Sequence, residues 1–540
     1  MKIVVAEKIS EAAMRLFRDG TGWTVITPDE FAQSPEAALR DADALIVRSA
    51  VQADKKLIEH APALRIIGRA GVGVDNVDQE FATRRGIVVM NTPGANAVAV
   101  AELTLGLMLC LARSIPRAAE TMRAGKWEKK TLQGTELSGK TLGIIGLGRI
   151  GIEVARRAAA MKMDVIAYDP YVAPKIARDL EVTLADLDEV YAQADYLSLH
   201  LGLSERTLRL IDADAIAKMK KGVRIVNCAR GELIDDVALA AALEAGKVAG
   251  AALDVFSKEP PHDNPLLATP NVIATPHIAG STAEAQEAVG VQIARQVTEY
   301  LRNSIVQNAV NVPSLTDVEF RRLSPYIELS ERLGKLTSQL IVAQGNLEEI
   351  AISYRGEIGD EKTALLRSSV VQGVLQAASS EPVNMVNAQA HAQERGIAIK
   401  ESKGAAEQAA SEIEVVLRTS TASVQARGAV VHGSSPRISV LDGIEVECPL
   451  SGHLLVMRNR DLPGVIGTVG GLLGEAQINI ARFVLGREAQ QASAARSQAP
   501  SATATQAIAI IQTDTPVDEP VLRRIRQLPA VLDVRSVSFS

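Results

Sequence analysis

The stretch KTLGIIGLGRIG, residues 140–151, decides the fold of the central part of this chain. An apolar run leads into Gly146, Gly148 and Gly151, and the helical pattern GRIGIEVARRAA follows at once. Glycines at these places allow a tight turn, close approach of a pyrophosphate and close helix–strand packing. The next strand ends at Asp169, whose carboxylate suits two ribose hydroxyls and repels a 2′-phosphate. The pattern therefore predicts an NAD site; the alternative is a glycine-rich turn in a sheet that binds no nucleotide.

On both sides of this segment, from Met1 to about Asn311, short β-branched runs alternate with helical stretches. Such alternation predicts two successive parallel-sheet units with helices on both faces, the first ending near Asn96. A long helical pattern over residues 281–302 follows the second unit. We expect it to cross back onto the first unit through its apolar positions, which are Ala288, Val291, Ala294, Val297 and Leu301.

Residues beyond Pro313 follow a different pattern. Residues 313–450 predict a separate α+β domain, with helices near residues 327–343 and 361–378. Its predicted strands are EIAISYRG (349–356), EIEVVLRT (412–419), GAVVHG (428–433) and RISVLDG (437–443). Residues 451–540 predict the order βαββαβ, a ferredoxin-like unit. Between its second and third strands, residues 487–506 are rich in Ala, Ser and Gln, and we expect a mobile hairpin loop there.

Composition narrows the classes of function. A net charge of −6 and 3% aromatic residues argue against a nucleic-acid partner. The longest apolar stretch, Ala97 to Ala112, is too short to cross a bilayer and predicts a buried helix, so we expect no membrane association. Three widely separated cysteines predict neither a metal site nor disulfides. With no export signal at the N-terminus, we expect a cytoplasmic protein.

Three later segments each place a distinctive polar residue near the end of a predicted strand: Arg230 in VNCARGELID, Glu259 in ALDVFSKEPP and His277 in TPHIAGST. An arginine can hold a carboxylate bidentately, and a histidine can accept a hydroxyl proton near neutral pH. A carboxylate beside the histidine would orient its ring. Singly, each has an ordinary structural explanation; together, after a dinucleotide motif, they predict oxidation of a 2-hydroxy acid.

These segments resemble the signatures of the D-isomer-specific 2-hydroxyacid dehydrogenases over residues 1–312. GRAGVGVDNVD, MNTPGANAVAVAELTLGLML and GKWEKKTLQGTEL resemble the D-3-phosphoglycerate dehydrogenase branch, whose long form adds an intervening domain and an ACT domain. The resemblance implies a substrate-binding domain (1–96 and 285–312), an NAD-binding Rossmann domain (97–284), an intervening domain (313–450) and a regulatory ACT domain (451–540).

The resemblance also implies NAD-dependent oxidation of 3-phosphoglycerate to 3-phosphohydroxypyruvate, the first step of the phosphorylated route to L-serine, by a homo-oligomer, a dimer or a tetramer. His277 would be the general acid/base, Glu259 its partner and Arg230 the carboxylate ligand. Arg48, Arg69 and Lys129 would bind the substrate phosphate, Lys129 in a neighbouring subunit. The implied cofactor contacts are Gly146, Gly148, Arg149, Ile150, Gly151, Asp169, Cys228, Ala229, Arg230, Asp254, His277 and Gly280.

In the tail, RNRDLPGVIGTVGGLLGEAQINI resembles an ACT-domain ligand motif and implies that Asp461 and Asn479 bind L-serine as a feedback effector. The alternative is a domain that serves assembly alone. Two further functions stay open: another 2-hydroxyacid dehydrogenase, such as a glyoxylate or hydroxypyruvate reductase, and a non-enzymatic NAD(H)-sensing protein. Leu201 and Val72 replace threonines common in the family, which removes hydroxyls from the cofactor side.

Overall fold

The computed structural model describes residues 1–19, 22–313, 317–341, 345–376, 383–404, 411–488 and 506–539. Within them the chain forms four β-sheets, which follow one another along the sequence.

The first sheet has five parallel strands in the order β2-β1-β3-β4-β5. Its strands are β1 (Lys2–Val5), β2 (Thr24–Ile26), β3 (Ala44–Val47), β4 (Ile66–Arg69) and β5 (Val88–Met90), and its helices are α1 (Glu11–Arg18), α2 (Pro28–Gln33), α3 (Pro35–Leu39), α4 (Lys55–Glu59) and α5 (Gln79–Arg84). The central strands β3 and β4 are buried along most of their length, as expected for a parallel sheet covered on both faces.

The second sheet has seven parallel strands in the order β12-β11-β10-β9-β6-β7-β8. Its elements are α6 (Ala97–Arg113), α7 (Ile115–Arg123), β6 (Thr141–Ile145), α8 (Arg149–Ala160), β7 (Asp164–Tyr168), α9 (Pro174–Asp179), β8 (Thr183–Leu184), α10 (Leu187–Gln193), β9 (Tyr196–Leu199), α11 (Ala213–Lys218), β10 (Val223–Asn227), α12 (Asp236–Glu244), β11 (Val248–Leu253) and β12 (Val272–Ala274). The chain winds outward from β6 in one direction and then returns to β9 on its other side. This reversal creates the crevice in which open α/β sheets bind ligands.

Helix α13 (Ala283–Asn303) then packs on α1 and β4 of the first sheet. Three of the five predicted positions, Ala294, Val297 and Leu301, are buried. Ala288 is exposed and Val291 half-buried, and the buried face is completed by Val289 and Ile293 instead. Steps of three residues advance only 300°, so a run of them drifts off one face, whereas steps of four and three together follow it.

Helix α6, expected to be buried, is buried on one side and exposed on the other. Ala101 and Met108 pack into the core of the second sheet, while Val98 and Leu109 are exposed. Among the described residues no single helix is long and apolar enough to cross a membrane. Helices α6 and α7 reach that length and apolarity only as a pair, and they bend by 65° at their junction.

The third sheet is mixed, in the order β14-β13-β15-β16-β17-β18, with β13 and β14 parallel and the other pairs antiparallel. Its elements are α14 (Asp317–Ile341), β13 (Leu347–Arg355), α15 (Thr363–Gln376), α16 (Ala388–Glu394), β14 (Ala398–Gly404), β15 (Glu412–Thr419), β16 (Ser423–Val431), β17 (Ser435–Leu441) and β18 (Ile444–Pro449). The sequence did not predict α16, β14 or β18. Strand β14 is a polar, largely exposed edge strand, so it lacks the apolar alternation that marks a half-buried strand.

The fourth sheet is antiparallel, in the order β20-β21-β19-β22. Its elements are β19 (His453–Arg460), α17 (Val465–Glu475), β20 (Ile480–Arg487), β21 (Gln506–Thr513), α18 (Glu519–Arg526) and β22 (Val531–Ser538), which confirms the predicted βαββαβ order. Alternate residues of β19 serve two cores: Leu455 packs under the helices, while Leu454 and Val456 pack against the third sheet's domain. Residues 489–505, where the hairpin loop was expected, lie outside the described residues.

Candidate active site

The three glycines after β6 meet different steric demands. Gly146 has a φ of +97°, and a Cβ there would lie 2.5 Å from the carbonyl oxygen of His200. A Cβ on Gly151 would lie 2.2 Å from the carbonyl oxygen of Gly146, so this glycine lets α8 approach β6. A Cβ on Gly148 would meet nothing within 4 Å, so this glycine borders open space in front of the N-terminus of α8.

That open space fits a dinucleotide pyrophosphate, because the unpaired N–H groups at a helix start attract anions. Ile150 packs partly buried on the core beneath. The guanidinium of Arg149 bonds the carbonyl oxygen of Pro93 on the first sheet's domain, so it spans the crevice between the two α/β units.

Asp169 lies directly after β7, beside the same loop. Its carboxylate accepts hydrogen bonds from the backbone N–H of Leu147 (2.9 Å) and of Tyr171 (2.8 Å). The Asp169 carboxylate thus holds the glycine-rich loop in place. The side chain is half-buried, so it remains accessible to a ribose.

Glu259 and His277 form a hydrogen-bonded pair, with 2.8 Å between His277 Nδ1 and Glu259 Oε2. An ionised carboxylate accepts Nδ1–H, which leaves Nε2 with its lone pair as a base. The imidazole is about half exposed and, with Glu259, lines a cleft of about 780 Å³ between the two α/β units. Gly280 lines the same cleft.

Asp254 holds the loop that carries the histidine. It is fully buried and accepts hydrogen bonds from the Thr275 hydroxyl (2.6 Å) and from the backbone N–H groups of Ile278 (2.9 Å) and Ala279 (2.8 Å). His277 between these contacts has a φ of +51°, a left-handed conformation that the surrounding bonds maintain. The structure therefore places Asp254 behind the site as a positioning residue, rather than on its surface.

Arg230 follows β10 on a short loop fixed by buried Asn227. The Asn227 amide donates to the Arg230 carbonyl oxygen (2.8 Å) and its oxygen accepts from Ala229 N–H (3.0 Å). Arg230 itself donates to the Ala229 carbonyl oxygen and forms an ion pair of 3.2 Å with Asp75. Cys228 is buried, and burial raises the pKa of its thiol to about 12, so this cysteine is not a nucleophile at neutral pH.

Arg48 and Arg69 line the cleft that contains Glu259 and His277. Burial, together with the nearby Arg230 and Arg48, lowers the pKa of the Arg69 guanidinium. The Arg69 Nε atom is buried without a hydrogen-bond partner among the described residues. Arg230 does not line this cleft, but it lies close enough to repel Arg69. Three neighbouring cations, two of them in the cleft, indicate a site for an anion.

Glycines make room for this cluster. A Cβ on Gly71 would lie 1.4 Å from Arg69 Nη1, and a Cβ on Gly73 would lie 2.1 Å from Arg230 Nη2. Lys129 lies elsewhere: it is exposed in the short 3₁₀ turn Lys129–Thr131 and does not line the cleft.

A second cavity of about 360 Å³ lies where β19 passes into α17. Asp461 lines it and pairs with Arg487 (2.9 Å between Oδ2 and Nε), and buried Asn459 contributes an Oδ1 atom without a partner in the described part of the chain. Asn479 does not line this cavity and donates instead to Asp514 (2.7 Å).

Comparison with known proteins shows the family of the chain. Residues 105–279 match the family model "D-isomer specific 2-hydroxyacid dehydrogenase, NAD binding domain", residues 322–442 "D-3-phosphoglycerate dehydrogenase intervening domain" and residues 453–530 "ACT domain". D-3-phosphoglycerate dehydrogenase of Methanocaldococcus jannaschii is 39% identical over 100% of both chains. The chain belongs to the D-3-phosphoglycerate dehydrogenase family.

Two solved structures each resemble just over half of this chain. A glyoxylate reductase from Paecilomyes thermophila is 32% identical, with a TM-score of 0.52, over 57% of this chain and 98% of its own. A D-lactate dehydrogenase from Aquifex aeolicus, complexed with NAD and lactic acid, is 26% identical, with a TM-score of 0.51, over 58% of this chain and 100% of its own.

The predicted family, fold class and cofactor are thereby confirmed: this member of the family is an NAD-dependent oxidoreductase with two parallel α/β units, a mixed-sheet domain and an ACT domain. The residues that sequence reasoning missed are Asp75, Asn227 and Glu7, which contact the Arg230 and Arg48 segments. The segment GRAGVGVD, which ends at Asp75, was a usable signal for that residue. Its glycines flank Arg69, and closely spaced glycines indicate that large side chains crowd the backbone there.

Proposed function

We propose that this chain oxidises 3-phosphoglycerate to 3-phosphohydroxypyruvate with NAD, as the first step of the phosphorylated route to L-serine. The observation that carries the proposal is the position of Arg48 and Arg69 in the cleft of the Glu259–His277 pair, with Arg230 next to them. A substrate with a carboxylate at one end and a phosphate at the other needs more than one cationic group on the same side of the base.

Each residue has a defined task in this reaction. Bound NAD supplies the acceptor for the hydride that leaves C2. Arg230 holds the substrate carboxylate and orients C2, while His277 Nε2 takes the proton of the C2 hydroxyl. Glu259 keeps the ring in the tautomer that can do so and stabilises the imidazolium that forms. The substrate thus loses one hydride and one proton, which converts the alcohol to a ketone.

A substrate panel tests the proposal. Purified protein with NAD should form NADH, followed by absorbance, from 3-phosphoglycerate far faster than from D-glycerate, which lacks the phosphate. Replacing Arg48 and Arg69 together by glutamine should raise KM for the phosphorylated substrate and leave that for D-glycerate nearly unchanged. Equal rates on both substrates would favour a glyoxylate or hydroxypyruvate reductase, and NAD binding without any turnover would favour a sensor.

A second copy of the chain is the proposed cover for the exposed face of α6 and α7. Large apolar side chains are exposed on these helices and on the segment that follows α7, among them Met122 at 56% and Trp127 at 79% exposure. Lys129 follows on the same segment, where it could reach a neighbouring cleft. Met122→Glu with Trp127→Glu should dissociate the oligomer in sedimentation, whereas Tyr171→Glu, equally exposed on another loop, should not. An unchanged mass in the first variant would reject this interface.

L-Serine is the proposed effector of the ACT-domain cavity. The unpaired Asn459 Oδ1 and the Asp461 carboxylate offer acceptors for an amino group, and the start of α17 offers N–H donors for a carboxylate. Asn479 would contribute from the ACT domain of another subunit. Serine should inhibit turnover, and Asp461→Ala should raise the serine concentration needed for half-maximal inhibition. If millimolar serine does not inhibit the wild-type protein, the alternative that this domain serves assembly alone is favoured.

We propose the domain boundaries given in the sequence analysis, since the strands of each sheet fall within those ranges, as do the helices packed on them apart from the first two residues of α13. A cytoplasmic location is supported by Cys110, Cys228 and Cys448, which are free thiols. Limited proteolysis and cell fractionation test the two statements.

A further inference from the structure

Asp75 contacts the guanidinium of Arg230, the group proposed to bind the substrate carboxylate. Its Oδ2 atom lies 3.2 Å from Arg230 Nη2, and Gly73 leaves the space in which the two groups meet. Within the described part of the chain, Arg230 is the ion-pair partner recorded for Asp75. The Asp75 side chain is 69% exposed, so it lies at the surface rather than in the core.

The other acidic side chain near the cluster behaves differently. Glu7 accepts hydrogen bonds from the backbone N–H groups of Arg48, Ala50 and Val51, at 2.7 to 3.1 Å, so it fixes the loop after β3. Its oxygens are committed to the fold. Asp75 has no such backbone bond among the described residues, so it can leave Arg230 without breaking local structure.

We propose that Asp75 is an internal competitor for Arg230: in the substrate-free enzyme it occupies the place that the substrate carboxylate takes, and it withdraws into solvent when substrate binds. This inference rests on the proposed role of Arg230. A carboxylate partner compensates the charge of Arg230 next to Arg69 and Arg48, and its departure is part of the free energy of substrate binding. Asp75 therefore sets KM and favours release of the anionic product.

The magnitude follows from the exposure of the pair. Exposed ion pairs contribute about 0.2–1 kcal/mol, which corresponds to roughly 1.4- to 5-fold in a binding constant. Because the Arg230 side chain is only 27% exposed, the upper part of this range, about two- to five-fold, applies to the pair. Asp75→Asn keeps the shape and removes the charge. KM for 3-phosphoglycerate should then fall about two- to five-fold, and kcat should not rise with it, because Arg230 holds the carboxylate in ground state and transition state alike.

Two anions separate competition at Arg230 from a general charge effect. Oxalate, a carboxylate without phosphate, should inhibit Asp75→Asn more strongly than wild type by the same two- to five-fold. Inorganic phosphate, directed to Arg48 and Arg69, should change by less than half as much. Asp29→Asn is the control: Asp29 is exposed in the first turn of α2, so its loss changes the net charge equally and should leave all constants as in wild type.

Three results would overturn the proposal: a KM that rises in Asp75→Asn, which would make Asp75 a residue that positions Arg230; equal tightening of both inhibitors; or the same shift in Asp29→Asn. A wild type without turnover of 3-phosphoglycerate would instead reject the proposed function, so the two failures are distinguishable.

Discussion

Replacing Gly148 by alanine should separate cofactor binding from folding. The site is the second glycine of the loop between β6 and α8, with φ −79°, a value that alanine adopts without strain. An added Cβ would meet nothing within 4 Å in the protein, so the free energy of unfolding should stay within about 0.5 kcal/mol of wild type. The methyl group would, however, occupy space in front of the α8 N-terminus.

The neighbouring glycines give the matched comparison. A Cβ on Gly151 would lie 2.2 Å from a backbone carbonyl oxygen, a conflict that no side-chain rotation relieves. Overpacking of this kind costs about 1–3 kcal/mol, so Gly151→Ala should lower the melting temperature by several degrees. In Gly148→Ala the loss falls on the ligand: one charge-assisted hydrogen bond to a phosphate, about 1.5–3 kcal/mol, corresponds to roughly 10- to 150-fold in Kd for NADH.

Two measurements on each variant suffice, NADH binding by fluorescence titration and unfolding by calorimetry. The expected pattern is a normal melting temperature with weak binding in Gly148→Ala, and a lowered melting temperature in Gly151→Ala. Wild-type affinity in Gly148→Ala would refute the position assigned to the pyrophosphate. A lowered melting temperature in that variant would show that the space is filled by the protein itself.

Three further predictions concern the hydroxy-acid side and pH. Glu259→Gln should lower kcat by about 10²- to 10⁴-fold, because His277 loses the carboxylate that orients its ring and stabilises the protonated form. NADH binding, measured by titration, should stay near wild type. Gly73→Ala should lower kcat/KM by about tenfold or more, since the added Cβ displaces Arg230; an unchanged kcat/KM would contradict the crowding seen there. Burial lowers the pKa of His200 to about 4, so the folded state favours the neutral ring, and its contribution is complete above pH 6.5 and decreases as the pH falls to 4. Unfolding free energies measured by denaturant should fall by ~3 kcal/mol over that range, and His200→Gln should remove most of this slope.

Local patterns could be read from the sequence because they depend on near neighbours. The loop from Gly146 to Gly151 could be predicted because its glycines meet steric demands that act within a few residues. The βαββαβ order of the tail could be predicted from alternating and helical patterns of apolar residues. Where neighbours in space decide, the same reasoning failed. Two of the five positions expected on the buried face of α13 are not buried, one side of α6 is exposed, and the polar strand β14 was overlooked.

The amino-acid sequence by itself determined the order of the domains, the dinucleotide loop and the chemical types of Arg230, Glu259 and His277, because each of these lies in a contiguous motif. It took the folded structure to show that Asp254 lies behind the histidine loop, that Asp75 pairs with Arg230 and that Arg48 and Arg69 share a cleft with Glu259 and His277. These contacts join residues separated by tens to hundreds of positions. Their distances are set by how the strands and helices pack, and no local pattern records that packing.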